Sequence, residues 1–414
     1  MRIAIDTRAL RPPLAGIGHY VHRLTKAMLP LLSPGDELLS FNGLIIEPLD
    51  HPFLDLVETR NSNYASGPTS LSSAFGSHAL GKAYVFVRQL YPSRVAGRAL
   101  YAARFHAAEK TFDLFHAANF FPPARLRKPF LPVIHDLSCL RFPEMHPRER
   151  VNWFARGLKQ LSDVPFVQTV SEFSKSEIVT LLNISPDRVH VIYQAPGEEF
   201  RPDGATDEVC LAKYNAERYG YFLVVGTQEP RKNFKTVAEA HTALPVAIRN
   251  HFPLLWVGAS GWGDLELSPA VERAKETGQI RLTGYIPDRD LAALYRNTVL
   301  FMMPSIYEGF GMPIIEALAC GAPVAVSKIP VFEEIAARHA RYVGPMDIEG
   351  WRQAMEEGLA AERRSSGTLD SRRDLARFSW DRSATMTLDL WHRLAEASLH
   401  LNRAATGGSS HAGY

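Results

Sequence analysis

Two acidic residues, Glu308 and Glu316, enclose a short segment whose residue types suit the binding of a sugar phosphate. An apolar run just before them predicts a buried strand, and Gly309 and Gly311 predict a tight turn that lets a ligand approach the backbone closely. Pro313 suits the first turn of a following helix, whose free N–H groups can bind anions. Carboxylates accept hydrogen bonds from sugar and ribose hydroxyls. The same residue types also allow an ordinary helix start, with one glutamate solvated and the other interacting with the helix dipole.

Two adjacent cations, Arg231 and Lys232, precede another predicted helix. The apolar run Tyr221–Val225 predicts the strand before them, and Gly226 begins the turn. Fixed positive charge beside the N–H groups of a helix start suits a diphosphate. A solvated pair of surface cations is the alternative.

His135 and Asp136 directly follow an apolar run, at the carboxyl end of a predicted strand. Ligands of open α/β sheets bind beyond the carboxyl ends of the strands, so we expect both side chains to face a cleft. His116, in a neighbouring predicted strand, is a weaker candidate for the same role. A purely structural histidine is the alternative for His135.

The chain opens with a predicted strand at Arg2–Asp6, a loop containing Gly16 and Gly18, and an apolar-periodic helix. This is the start of a Rossmann-like unit. Val21 stands where the third glycine of a dinucleotide fingerprint would be, so the glycines alone favour a simple tight turn. The run at 53–57 is a further strand candidate. A second series of strands and helices follows in the second half, which predicts two Rossmann-like domains facing a cleft.

Size and composition exclude several classes of protein. A chain of 414 residues is long enough for two domains, and 46% hydrophobic with 22% charged residues is typical of a globular protein. A formal charge of +2 excludes a nucleic-acid binder that relies on bulk charge. The three cysteines are far apart, which fits a reducing compartment. No apolar run approaches the roughly 20 residues of a membrane span, so a cytoplasmic location is expected.

The segment Glu308–Glu316 closely resembles the Glu-(seven residues)-Glu signature of the GT-B retaining glycosyltransferases of family 4, the group 1 glycosyl transferases. The resemblance continues through residues 317–326, and a matching His-Asp pair recurs in this family. It implies an α/β fold of the GT-B type, with two Rossmann-like domains facing an interdomain cleft. The chain departs from the family at 194–204, where many relatives carry Asn-Gly-Val-Asp, and at Thr227, where some carry arginine.

The resemblance also implies the division of the chain. Residues 1–198 would form the N-terminal acceptor domain and residues 199–378 the C-terminal nucleotide-sugar donor domain. A helix at 379–404 would return to the N-terminal domain, and a disordered tail would occupy 405–414.

The resemblance assigns roles to the candidate residues. Arg231 and Lys232 would contact the donor pyrophosphate, Glu308 would hold sugar hydroxyls, Glu316 the ribose, and the segment at Tyr285 the base. The expected catalytic residues are His135, Asp136, Arg231, Lys232 and Glu308. The expected donor-binding residues are Gly16, Gly18, Gly226, Arg231, Lys232, Tyr285, Glu308, Gly309, Phe310, Gly311 and Glu316. No metal is expected, because no Asp-x-Asp of the kind that holds a metal-bound nucleotide sugar is present (the one at 288–290 begins a predicted helix).

The expected reaction is retaining transfer of a hexose from a nucleoside diphosphate sugar to a saccharide or lipid-linked saccharide acceptor. The segment 226–233 resembles bacterial polysaccharide and O-antigen mannosyltransferases, which points to GDP-mannose as donor. The arginine-rich segment 84–106 can lie on the anionic inner face of the cytoplasmic membrane or receive a phosphorylated acceptor, and a solvated basic face is the alternative. The alternative functions are a non-catalytic nucleotide-sugar-binding protein and a GT-B phosphorylase or epimerase.

Overall fold

The computed structural model describes residues 1–43, 45–66, 102–162, 164–361 and 373–407. Within them the chain forms two separate sheets, each built from successive βα units. The α/β class with two Rossmann-like units, predicted from the sequence, is therefore confirmed.

The first sheet has the order β3-β2-β1-β4-β5-β6-β7, and only the β2–β3 pair is antiparallel. Its strands are β1 (Arg2–Asp6), β2 (Glu37–Phe41), β3 (Ile46–Pro48), β4 (Leu114–Ala117), β5 (Phe130–Ile134), β6 (Val167–Thr169) and β7 (Val189–Val191). The strand predicted at Arg2–Asp6 is confirmed.

The second sheet is wholly parallel, in the order β10-β9-β8-β11-β12-β13. Its strands are β8 (Phe222–Val225), β9 (Leu254–Val257), β10 (Ile280–Gly284), β11 (Leu300–Met303), β12 (Val324–Ser327) and β13 (Arg341–Val343). Every residue of β8, β9, β11 and β12 is buried, because helices cover both faces of a parallel sheet.

Helices connect the strands and cover both sheets. In the first half they are α1 (Gly16–Met28), α2 (His51–Ser66), α3 (Ser138–Arg141), α4 (Arg148–Leu158) and α5 (Glu172–Leu182), with a further helical stretch at 102–108. Those of the second half are α6 (Asp207–Lys213), α7 (Phe234–Thr242), α8 (Val246–His251), α9 (Pro269–Glu276), α10 (Asp288–Asn297), α11 (Met312–Ala319), α12 (Pro330–Ala336), α13 (Ile348–Ala360) and α14 (Trp380–Gly407). In the described ranges, no helix combines the length and apolar character that crossing a bilayer requires.

The strand predicted at 53–57 is wrong, because these residues belong to α2. Leu54 and Val57 are buried while Leu56 is exposed. The two buried side chains are three residues apart and share one helix face. In the sequence alone, so short an apolar run is equally compatible with a strand.

Each sheet has a switch point where the strand order reverses, between β1 and β4 and between β8 and β11. The connections after these strands leave in opposite directions, which opens a crevice at their carboxyl ends. The loops after β5, β8, β10 and β11 carry all the candidate site residues except Glu316, which lies in α11, and Gly16 and Gly18, which lie in the first turn of α1. The prediction that these two glycines belong to the loop before the helix is wrong, because α1 already begins at Gly16.

Helix α14 lies against the first half of the chain. Trp391 is fully buried in the core of the first sheet, and its indole N–H donates to Nδ1 of His116 at 2.9 Å. The ring of His116 is therefore buried, and its Nδ1 is occupied by this bond. The helix continues to Gly407, while residues 408–414 of the expected tail and residues 84–101 of the arginine-rich segment lie outside the described residues.

Candidate active site

The loop after β11 brings the two halves of the chain together at backbone level. Gly311 has a φ of 112°, which favours glycine, and α11 begins at the next residue. A Cβ on Gly309 would lie 1.8 Å from the carbonyl oxygen of His135, so only glycine fits there. The hydroxyls of Ser171 and Ser174 donate to the carbonyl of Gly309 at 2.6 and 3.0 Å. The glycine loop therefore lies directly on the β5 loop and the start of α5.

Arg231, Lys232 and Glu308 form a buried ion cluster at this loop. Nη1 of Arg231 donates to Oε2 of Glu308 at 2.8 Å, and Nζ of Lys232 donates to Oε1 at 2.5 Å. The hydroxyl of Ser305 donates to the same Oε1 at 2.8 Å. Burial would raise the pKa of Glu308, but the two neighbouring cations outweigh it and hold the pKa below its ordinary value. Glu308 is therefore an anion at neutral pH.

Both cations keep N–H groups that no described residue uses. Arg231 also donates through Nε to Glu229 and through Nη1 to the carbonyl of Tyr307, which leaves Nη2 without a hydrogen-bond partner in the described part of the chain. The ammonium of Lys232 has three N–H groups, of which Glu308 takes one. The cluster can therefore still receive an oxyanion.

His135 lies at the carboxyl end of β5 with its ring inside an aromatic cage. Its Nε2 is 2.8 Å from the carbonyl of Ala118, so Nε2 carries the proton and Nδ1 is an acceptor. The rings of Tyr20 and Phe120 pack edge-on at 5.0 and 5.3 Å. Burial lowers the pKa of His135, so the ring is neutral at physiological pH.

Asp136 is fixed within its own loop. Its Oδ1 accepts from the backbone N–H and the hydroxyl of Ser138 at 2.9 and 2.6 Å. Burial would raise the pKa of Asp136, but the charge of Arg231 and the bonds from Ser138 hold it below its ordinary value. Asp136 is thus an anion that faces the cation cluster of the other half.

Glu316 stands in a different electrostatic environment from Glu308. Its carboxylate is 3.6 Å from Nη1 of Arg23, a residue of α1. Burial raises the pKa of Glu316 to about 7, since Arg23 compensates only in part and Asp288 adds a like charge. Near neutral pH this side chain exists in both protonation states.

The three remaining glycine candidates differ in how much space surrounds them. Gly16 is the first residue of α1, and a Cβ there would meet no atom within 4 Å. A Cβ on Gly18 would lie 2.7 Å from the carbonyl oxygen of Ala9, so Gly18 is closely packed. Gly226 directly follows β8, and a Cβ there would lie 3.7 Å from the side chain of Lys232.

Two aromatic candidates have partners of their own. Tyr285 accepts a hydrogen bond from Asn61 of α2 at 2.8 Å, which joins the loop after β10 to the first half. Phe310 is buried against Tyr193 and Phe378, so it contributes packing and its backbone.

Sequence reasoning missed Asn233, Ser171 and Ser174 as parts of the site, and Arg23 altogether. Asn233 has a left-handed φ of 53°, and its side-chain amide donates to the carbonyls of Pro304 and Pro345 at 3.0 and 2.7 Å. Asparagine tolerates that conformation, which was the available signal. Arg23 had no local signal, because its partners are more than 170 residues away in the sequence.

In the described ranges, no group of three or more histidine, cysteine, aspartate or glutamate side chains could hold a metal ion. The charges at the cation cluster come from arginine, lysine and carboxylates.

Comparisons with known proteins agree with this architecture. The model of the Glycosyl transferases group 1 family matches residues 211–367, and that of Glycosyltransferase Family 4 matches residues 66–195. The O-antigen chain mannosyltransferase B of Escherichia coli is 32% identical over 95% of this chain and 100% of its own length. An MMP alpha-(1->4)-mannosyltransferase of Mycolicibacterium hassiacum is 23% identical over 95% of this chain and 98% of its own.

Solved structures show the same fold. Anabaena Alr3699/HepE, solved in complex with UDP and glucose, superposes with a TM-score of 0.65 at 15% identity, covering 95% of this chain and 99% of its own. Sucrose-phosphate synthase from Thermosynechococcus elongatus superposes with a TM-score of 0.62 at 20% identity, covering 96% and 100%.

The two facing sheets, with a cation cluster at the switch point of the second, define a glycosyltransferase of the GT-B type. The chain belongs to the group 1 glycosyltransferases of family 4.

Proposed function

We propose that this glycosyltransferase transfers mannose from GDP-mannose, with retention of anomeric configuration and without a metal, to a saccharide or lipid-linked saccharide in cell-surface polysaccharide synthesis. The buried cluster of Arg231, Lys232 and Glu308 beside the start of α11 carries the proposal. Two fixed cations with unused N–H groups, next to a helix start, suit the diphosphate of a nucleotide sugar.

The cluster would act on the leaving group. When the anomeric C–O bond breaks, its electron pair goes to the β-phosphate oxygen and the sugar becomes oxocarbenium-like. Nη2 of Arg231, the free N–H groups of Lys232 and the N–H groups at the start of α11 would stabilise that charge by electrostatic preorganisation. No reorganisation is needed, because Glu308 already holds both cations in place.

Retention follows from attack on the same face as the departing phosphate. The acceptor hydroxyl oxygen would bond to the anomeric carbon and transfer its proton to the leaving phosphate. Asp136 is a neighbouring carboxylate that could act as a nucleophile. It already accepts a hydrogen bond from Ser138 and is stabilised by the charge of Arg231. Its assigned role is therefore electrostatic support, without a covalent glycosyl-enzyme.

The sugar and the nucleoside would be held by separate groups. Nδ1 of His135, the unprotonated nitrogen of the ring, would accept a sugar hydroxyl, and Glu308 would accept others. Glu316 would accept the ribose hydroxyls, and the base would lie along the loop after β10 at Tyr285. The backbone N–H groups of the glycine loop would meet the phosphates.

Mannose as the transferred sugar is supported by the relatives named mannosyltransferases, above all the full-length one from Escherichia coli. The guanine base is a further step, because it rests on the resemblance of residues 226–233 to the O-antigen enzymes. A screen of GDP, UDP and ADP tests it: GDP should raise the melting temperature most, since a ligand of the folded state stabilises it.

Release of GDP from GDP-mannose in the presence of EDTA tests the whole proposal. Release should depend on an added mannose-containing saccharide or lipid-linked acceptor, and the product should keep the α-configuration of the donor by NMR. Binding without release would favour the non-catalytic alternative, and phosphate-dependent cleavage would favour a phosphorylase.

A further inference from the structure

Arg23 is a buried cation of the first half that faces acids outside its own domain. Its Nη2 donates to Oδ2 of Asp288 at 2.6 Å and is 3.9 Å from Glu199. Its Nη1 is 3.6 Å from Oε1 of Glu316. The side chain is 10% exposed. One guanidinium thus joins α1 to the start of α10 and to the middle of α11.

The position of this guanidinium is fixed by its surroundings. A Cβ on Gly197, in the linker, would lie 2.5 Å from Nη2 of Arg23, so the linker passes directly against the charge. The ring of Phe200 is 5.5 Å from Cζ on another side. Nη1 is buried and has no hydrogen-bond partner among the described residues, and the acid paired with it there is Glu316.

We propose that Arg23 is a positioning residue for the donor: it holds the carboxylate of Glu316 in place and in its charged form, so that binding of the nucleoside depends on contact between the two halves. The inference rests on the proposed function, in which Glu316 accepts ribose hydroxyls. Arg23 acts through Glu316 and does not touch the donor. No family model or relative named above assigns this role.

The charges around Glu316 explain why it needs this partner. Ionisable groups face Glu316 or its neighbour Asp288 from five elements: Arg23 and His19 from α1, Glu199 from the linker, Tyr285 from the loop after β10, Asp288 and Tyr295 from α10, and Cys320 at the end of α11. Arg23 is the one permanent cation among them and lowers the pKa of Glu316, which even so stands at about 7. Without Arg23, burial and the like charge of Asp288 would keep the carboxyl protonated to higher pH.

The protonation state of Glu316 matters because a ribose offers two hydroxyl donors. Its two adjacent hydroxyls both donate to an ionised carboxylate, whereas a protonated carboxyl loses part of its acceptor capacity. His19 and His22 do not titrate in the same window, because burial lowers the pKa of both below 6.5. A change of nucleotide affinity with pH above 7 therefore reports on Glu316.

The experiment compares GDP affinity of wild type and Arg23→Gln by calorimetry between pH 6 and pH 9, with UDP in parallel. An upward shift of about one pKa unit would make the variant bind GDP about tenfold more weakly at pH 6 and about fivefold more weakly at pH 7. At pH 9 the difference should shrink to about threefold or less. Arg23→Lys should recover part of the loss. Lys26→Gln, on the same helix and paired with exposed Glu58, is the matched control and should bind like wild type.

A double-mutant cycle separates this role from a merely structural one. In a Glu316→Gln background, Arg23→Gln should have no further effect on GDP affinity, because the carboxylate on which it acts is gone. A loss that is equal at every pH, or that persists in this background, would overturn the inference, as would unchanged affinity. Wild type that binds neither GDP nor UDP would instead contradict the proposed function itself.

Discussion

Gly309 and His135, 174 positions apart in the sequence, touch so closely that a Cβ on the glycine would lie 1.8 Å from the histidine's carbonyl oxygen. One belongs to the loop after β11 and the other to the loop after β5. The candidate sugar-binding and phosphate-binding segments are therefore in backbone contact across the two halves. A side chain cannot be added at this position without separating them.

Gly309→Ala should therefore lower both activity and stability. The methyl group forces the two loops apart, and overpacking of this kind costs about 1–3 kcal/mol in the free energy of unfolding. Urea denaturation and turnover of GDP-mannose measure the two effects. Gly358→Ala in α13 is the control, because its Cβ would meet only ordinary contacts from 3.4 Å outwards. An alanine variant at 309 with wild-type turnover would show that the contact is not needed.

Lys232→Ala should lower kcat by about 100- to 1000-fold, by analogy with the loss of one oxyanion-stabilising donor. The fold should persist, because the remaining pair of Arg231 and Glu308 stays matched in charge. Steady-state release of GDP measures the effect. Lys275→Ala, which removes a cation paired with Glu272 on α9, should leave turnover unchanged. Wild-type turnover in Lys232→Ala would remove this lysine from the mechanism.

Glu308→Gln should destabilise the chain in the absence of ligand. The substitution leaves Arg231 and Lys232 without their shared counter-ion, and loss of one partner of a buried ion pair costs about 3–5 kcal/mol. Addition of GDP should restore part of the stability, since a bound diphosphate supplies negative charge. Urea unfolding with and without GDP measures both the loss of stability and its recovery. Glu272→Gln, which breaks an exposed ion pair with Lys275, is the control and should change the free energy of unfolding by less than about 1 kcal/mol. A Glu308→Gln protein as stable as wild type would contradict a stabilising role for the buried cluster.

His135→Ala should lower kcat by about 100-fold or more while GDP affinity stays within about twofold, because His135 would contact the sugar and not the nucleotide. The pKa of His135 lies below its ordinary value. Titration of this ring should therefore cause no change in the wild-type rate near pH 6.5. Turnover against pH and calorimetry with GDP are the measurements. A matching loss of GDP affinity would place the histidine elsewhere in the site.

Glu316 should give the stability of the free enzyme a definite pH dependence. Its pKa is raised to about 7 in the folded chain from an ordinary 4.5, so between these values the folded state holds more protons than the unfolded state. Its contribution to stability is therefore fully present below about pH 4.5 and is lost as pH rises through about 7. Glu316→Gln lacks this dependence. The difference in unfolding free energy between the variant and wild type should therefore grow from pH 5 to pH 8, and a constant difference would contradict the raised pKa.

Local patterns in the sequence were sufficient for the strand–turn–helix units that carry the site. Gly226 after β8 and Gly311 before α11 lie where their turns were predicted, because a strand end followed by glycine and a helix start is a short-range signal. The run at 53–57 was misassigned, because five residues cannot separate one helix face from a buried strand.

Long-range pairings had no signal within one sequence. Arg23 with Glu316, Asn61 with Tyr285 and Ser171 with Gly309 each join residues that only the packing of the two halves brings together. The charge state of Glu316 depends on those pairings. Its motif could be recognised from the sequence, whereas its protonation could not.

The most direct test of the central claim is a crystal structure of the protein grown with GDP in the presence of EDTA. Diphosphate oxygens should lie within about 3 Å of Nζ of Lys232 and of Nη2 of Arg231, facing the start of α11. A diphosphate bound away from both cations, or held only when a divalent metal is added, would contradict it.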